Sequence, residues 1–187
     1  MVSLDYHIDD DRMIYARISR GFKSGGFNGR ANSAAERRAY DPEVATTYEI
    51  GAKTSWFDRS LRLNLTAFIN EYEDFQARVS SLELVLGVPT PQLSVFNAGK
   101  MEIFGVELEG QWTPVQGLLL DTQIGYLNAD YKEFDDIRFT GFGNSRAFQE
   151  PAFAPEWTAR FGGQYEWSLN GSGHFQIGAN ARFRSEM

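Results

Sequence analysis

Few side chains in this sequence are spaced for catalysis. It has no cysteine, which excludes thiolate nucleophiles, thiolate metal sites and disulfides. The two histidines, His7 and His174, are far apart in sequence. His7 falls in a short strand pattern and His174 just past a turn, so neither supplies the base of a nucleophile–base–acid set. Glu107 and Glu109 share one face and have the residue types of a glycosidase acid pair. Polar residues lining a wall and hydrogen-bonded to whatever fills it are the better reading. Gly21, Gly25, Gly26 and Gly29 are not followed by the Lys-Ser/Thr of a phosphate loop, and read as loop backbone. The expectation is a protein that is not an enzyme, with no catalytic set, no resident metal and no cofactor.

The elements that carry these residues are strands. From Thr46 to Arg78 two long segments meet at Phe57-Asp58-Arg59-Ser60. After it, Leu61, Leu63, Leu65, Ala67 and Ile69 take one face, and Arg62, Asn64, Thr66 and Asn70 the other, with Phe68 the exception. Before it, Tyr48, Ile50, Ala52, Thr54 and Trp56 alternate with Thr47, Glu49, Gly51, Lys53 and Ser55. A period of two is a strand signal. Further strands are expected over 2–8, 12–20, 96–113, 118–130, 156–167 and 173–183. Val79–Ser94, with Pro89 and Pro91, reads as a long loop with a short strand or helix inside.

The connections alternate in length. Asp9–Asp11, Asp58–Arg59, Pro114–Gly117 and Asn170–Gly171 are short. Those starting near Gly21, Val79 and Phe134 are long. In an up-and-down sheet this puts tight turns on one rim and long loops on the other, as in outer-membrane barrels. Trp56, Trp112 and Trp167 adjoin tight turns, where an aromatic girdle belongs. Glu49, Lys53, Arg62, Asn64, Glu107, Glu109, Gln111, Asp121, Gln123, Arg160, Gln164, Gln176, Asn180 and Arg182 share the polar face and are candidate lumen-facing residues. The fold class expected is all-β, an antiparallel up-and-down transmembrane β-barrel segment. An open sheet with one solvated face explains neither the loop alternation nor the length of the apolar faces.

Composition agrees. The 187 residues are 14% aromatic, with a net charge of -7; that acidity argues against a nucleic-acid partner. No run of about 20 apolar residues is present, which says nothing against a barrel wall. Met1–Arg12 has no basic region followed by an apolar core, so it is not a signal peptide.

Four blocks resemble the TonB-dependent receptors of the bacterial outer membrane. They are Tyr15–Asn28 (YARISRGFKSGGFN), Pro42-Glu43 with Thr47–Lys53 (TYEIGAK), Phe68–Gln76 (FINEYEDFQ) and Asn97–Glu109 (NAGKMEIFGVELE). The resemblance implies a 22-stranded barrel enclosing a plug domain, in the outer membrane of a Gram-negative bacterium. It implies energy-coupled uptake of a ferric siderophore, cobalamin, haem or glycan through the TonB complex. Residues 1–187 would then be a partial barrel domain without its plug, about eight strands, inactive in transport alone. Ligand contacts are expected from the long-loop rim: Arg17, Arg20, Lys23 and Arg30 toward an anionic ferric complex, and Tyr40, Phe134, Phe139, Phe142 and Phe148 as stacking surfaces. The other reading is a structural or adhesin-like sheet or barrel with no transport role.

Overall fold

The alternation builds one long-stranded sheet. The computed structural model describes residues 1–29, 39–85, 87–135, 151, 154–169, 171 and 173–186. Arg30, Phe139, Phe142 and Phe148 lie outside the described residues. In chain order the strands are β1 (Val2–Asp9), β2 (Arg12–Lys23), β3 (Gly26–Phe27), β4 (Ala39–Tyr40), β5 (Glu43–Trp56), β6 (Leu61–Glu73), β7 (Gln76–Val85), β8 (Val88–Asn97), β9 (Gly99–Trp112), β10 (Leu118–Phe134), β11 (Trp157–Ser168) and β12 (His174–Arg184). Eight of them form one sheet in the order β1-β2-β5-β6-β9-β10-β11-β12. Every pairing is antiparallel. β3–β4 and β7–β8 are separate two-stranded ribbons on the long connections.

Two expectations are corrected. Val79–Ser94 is not a long loop with a short strand or helix inside: it lies within the hairpin β7–β8, and its described residues hold no helix. The β6 arm does not run to Arg78. It stops at Glu73, and Asp74 adopts φ 54°, a left-handed conformation that takes the chain out of the sheet. Pro89 and Pro91 mask this ribbon in sequence. Each strand of a two-stranded ribbon has a free outer edge, where a missing N–H breaks no ladder.

Burial is inverted relative to a soluble sheet. Along β2, Ile14, Ala16 and Ile18 are exposed while Met13, Tyr15 and Arg17 are half-buried. Ile50 is 62% exposed, whereas the neighbouring Glu49 side chain is only 14% exposed. The registers stack the apolar positions across the sheet: Ala52 opposite Leu65, Leu65 opposite Leu108, Leu108 opposite Ile124 and Ile124 opposite Ala159. The outward band from Leu61 to Ile69 is about 26 Å along the strand at ~3.3 Å per residue. Trp56 and Trp112 both lie opposite Leu61 at its short-turn end, with Trp167 against Phe175 at 4.6 Å between rings. At the other end the Tyr126 and Trp157 rings lie 4.9 Å apart, tilted by 49°. Beyond it the same face turns charged, with Lys132 Nζ 3.0 Å from Glu102 and Lys100 Nζ 3.1 Å from Glu133. An apolar band between aromatic rows, with charge above, is a surface built for a bilayer core.

The tight turns fit their strands. Asp58 and Arg59 take φ 55° and 66°, and the Ser60 N–H donates to Phe57 O at 3.1 Å. Phe57 is left-handed as well, at φ 53°, and the chain reverses over four residues between the paired Trp56 and Leu61. Gly117 takes φ 85°, and a Cβ there would sit 2.2 Å from Glu166 O, so glycine is required.

Candidate functional site

Two surfaces carry what the fold offers a ligand or a partner: the inward face of the sheet and the long-loop rim above it. The polar face comes first because the registers fix it. Lys53 lies opposite Asn64, Asn64 opposite Glu109, Glu109 opposite Gln123 and Gln123 opposite Arg160, which faces Arg182. Glu49, Arg62, Glu107, Gln111, Asp121, Gln164, Gln176 and Asn180 occupy the same face by register.

These groups are partly paired among themselves. Arg17 meets Glu49 at 2.5 Å, and Arg160 meets Asp121 at 2.5 Å. Asn64 Nδ2 donates to Glu109 Oε2 at 3.3 Å, and Tyr15 Oη lies 3.1 Å from Thr66 Oγ1. Several large side chains lie across glycines of the next strand. A Cβ on Gly51 would come within 2.4 Å of the Tyr15 ring, one on Gly105 within 2.3 Å of Phe68, and one on Gly162 within 2.2 Å of Asp121. The glycines let these side chains lie along the wall instead of filling the space in front of it.

Among the hollows in that space, two stand apart by their linings. One of about 660 Å³ has Glu107 and Glu109 on one side and Arg160, Arg182 and Arg184 on the other. The second, of about 500 Å³, lies toward the long-loop end. Phe68, Phe75, Met101, Ile103, Leu127 and Tyr131 line it, Pro151 and Pro155 close one wall, and Glu107 and Thr158 are its polar groups. The lining, mostly apolar with a few polar groups, has the balance of an organic-ligand site.

The rim differs from the sequence expectation at three positions. Arg17 is not on it but within β2, paired to Glu49. Arg20 shares the outward face with Ile18 and lies opposite Thr46, level with the charged belt. Phe134 is 5% exposed, in a cluster with Ala77, Phe96 and Ala98 and with Phe75 and Tyr131 against it, so it supports the β7–β8 ribbon and offers no stacking face. Lys23 is exposed at the top of β2 opposite Glu43. Tyr40 is half-buried in β4, its ring against Gly26. His7 and His174 lie in β1 and β12, the opposite edges of the sheet.

Sequence reasoning missed the inward apolar patch, although Phe68 broke the alternation and marked it. It also missed Asn28, Gln76 and Asn97, whose side chains bind backbone in neighbouring long connections. On the opposite rim, Arg59 Nε donates to Asp11 Oδ1 at 2.6 Å. That bond, then the charge of Asp11, pushes the Arg59 guanidinium above its ordinary pKa.

Over residues 1–186 the chain matches the family model described as TonB dependent receptor-like, beta-barrel. It is 25% identical over 136 residues to the pesticin receptors of Yersinia enterocolitica and Yersinia pestis, a match covering 73% of this chain and 19% of theirs. The chain therefore spans about a fifth of the length of the curated relatives it matches. The ferric yersiniabactin uptake receptor FyuA from Yersinia pestis superposes with TM-score 0.69 at 18% identity, covering 95% of this chain and 28% of that one. BauA, the ferric preacinetobactin receptor from Acinetobacter baumannii, gives TM-score 0.66 at 18% identity, over 98% and 25%. At that identity the likeness is one of fold.

Proposed function

Because the chain belongs to the TonB-dependent receptor-like β-barrel family, we propose that it forms part of the wall of a receptor in a Gram-negative outer membrane. The receptor takes up a ferric siderophore or a similarly scarce nutrient, with energy from the TonB complex. The observation that carries this reading is the inverted sheet: Ile50 is 62% exposed beside a Glu49 side chain that is 14% exposed. Lipid accounts for the apolar side and a wet or plugged lumen for the other.

β1 and β12 are the two edges of the sheet. In a bilayer an unpaired edge leaves N–H and C=O groups unsatisfied, at several kcal/mol each. Further strands of the same wall complete it, to the 22 of the family architecture, around a plug that meets the polar face. The 187 residues alone are then a part of the barrel domain and carry no specific flux.

The ligand sits in the hollow of about 500 Å³ under the long-loop rim, where aromatic and aliphatic side chains surround a few polar groups. Siderophore complexes fit that chemistry, and the ferric yersiniabactin and ferric preacinetobactin receptors among the similar structures lend support. The test is deletion of the gene in its source bacterium under iron starvation. Uptake of radiolabelled iron is measured with phenolate, catecholate and hydroxamate siderophores. Loss with one class, restored by the gene and abolished by a protonophore, is the expected result. Unchanged uptake of all three, of haem and of cobalamin contradicts it. Specific flux from the 187-residue chain in liposomes contradicts the inactivity of the part.

A further inference from the structure

Asn28 and Asn97 use their side-chain amides as a strand uses its backbone. Asn28 Nδ2 donates to Val95 O at 3.1 Å, and its Oδ1 accepts the Val95 N–H at 2.8 Å. Asn97 Oδ1 accepts the Asp41 N–H at 2.7 Å, and its Nδ2 donates to Asp41 O at 3.0 Å and Asp74 O at 2.7 Å. Gln76, opposite Asn97 in the β7–β8 register, is 6% exposed. Its Nε2 donates to Ser24 O at 3.1 Å and Asp41 O at 3.0 Å, and its N–H donates to Glu43 Oε2 at 2.7 Å.

The bond from Asn97 to Asp74 stays within the ribbon and its base, and Glu43 opens β5; the other bonds join the connection between β2 and β5 to the β7–β8 ribbon. Neither side is self-sufficient. β3–β4 is held by two residue pairs, Gly26–Tyr40 and Phe27–Ala39, and a two-stranded ribbon alone is marginal in water. The amides also satisfy backbone groups that have left the sheet. Beneath them lies the cluster of Ala77, Phe96, Ala98 and Phe134.

We propose that Asn28, Gln76 and Asn97 are positioning residues that clamp Ser24–Asn28 and Ala39–Asp41 of the first long connection, together with the β7–β8 ribbon, into one rigid ledge over the long-loop rim. The ledge presents a ligand with a preformed surface, where two separate loops would each have to order on binding. Its role in capture rests on the uptake reading, whereas the rigidity does not.

Amide hydrogen exchange on the full receptor in detergent micelles tests this without any ligand. Asn97→Asp keeps the shape and an oxygen that can accept the Asp41 N–H, but it loses both N–H donors and sets a carboxylate against the carbonyls of Asp41 and Asp74, a repulsion that opens the contact. Asn97 does not bond Val95. If the ledge is one body, Val95 exchange still accelerates, by about tenfold or more, along with Asp41, while Leu65 in β6 stays protected. Acceleration at Asp41 with Val95 within about twofold of wild type overturns the proposal, because the contacts are then independent. Should Asn97→Asp fail to assemble, Asn28→Asp is read at Asp41, which Asn28 does not bond; Asn28 lies outside the eight-stranded sheet. Faster exchange at Asp41 supports the ledge, and unchanged exchange overturns it. A failed uptake assay leaves these readings untouched.

Discussion

The ring of Phe68 occupies the space where a Gly105 side chain would stand: a Cβ on Gly105 would lie 2.3 Å from Phe68 Cζ. The two residues are directly opposite in the β6–β9 ladder. Gly105→Ala must displace the ring or the strand, at about 1–3 kcal/mol. Phe68→Ala removes the obstacle, so the double variant recovers most of the loss. Thermal unfolding of the four proteins in detergent measures this coupling, and additive losses would contradict the contact.

Outward positions are expected to reject charge. Ile50→Arg and Ile177→Arg place guanidinium groups in the apolar band, at about 2–4 kcal/mol each near the bilayer midplane. Assembled, heat-modifiable protein in the outer-membrane fraction falls for both. Thr47→Arg, on the inward face opposite Asn70, assembles normally.

Phe134 acts on stability. Buried among Phe96, Ala77 and Ala98, its truncation to Ala costs about 3–5 kcal/mol. The midpoint of unfolding falls accordingly, and proteolysis within 76–97 rises because the ribbon loses its support. Lys23→Ala, at an exposed position, leaves both unchanged.

The Arg17–Glu49 pair is asymmetric: the arginine side chain is 42% exposed and the glutamate 14%. Arg17→Ala therefore leaves a carboxylate with less water to replace its partner, whereas Glu49→Ala leaves a better-solvated cation. The expected costs are about 1 kcal/mol and less. Chemical denaturation of the single and double variants gives the coupling, and equal losses from both truncations would contradict the asymmetry.

The sheet was legible because each strand obeys one rule throughout. Leu61, Leu63 and Leu65 against Arg62 and Asn64 fix both the strand and its two faces, and the registers then follow from tight turns such as Asp58-Arg59. The rim was not legible, because its residues answer to contacts across the chain. Phe134 reads as a loop aromatic until Phe96, some forty residues earlier, is placed beside it. Arg20 looks like its neighbour Arg17, but one residue of parity separates Arg17 from it by a whole face of the sheet. β7–β8 was hidden by Pro89 and Pro91, which argue against a central strand but not against a ribbon with free edges. Asn97 and Asn28 look like turn residues, and only the fold supplies the distant backbone they bind.

The most direct test of the inverted sheet uses the absence of cysteine in this chain. Single cysteines are placed in turn from Arg62 to Ala67 on β6 in the outer membrane, and each is treated with a membrane-impermeant maleimide after permeabilisation. The inverted sheet predicts labelling at Arg62, Asn64 and Thr66 and protection by lipid at Leu63, Leu65 and Ala67, with a strict period of two. Uniform labelling, or labelling at the leucine positions with protection of their neighbours, would contradict it.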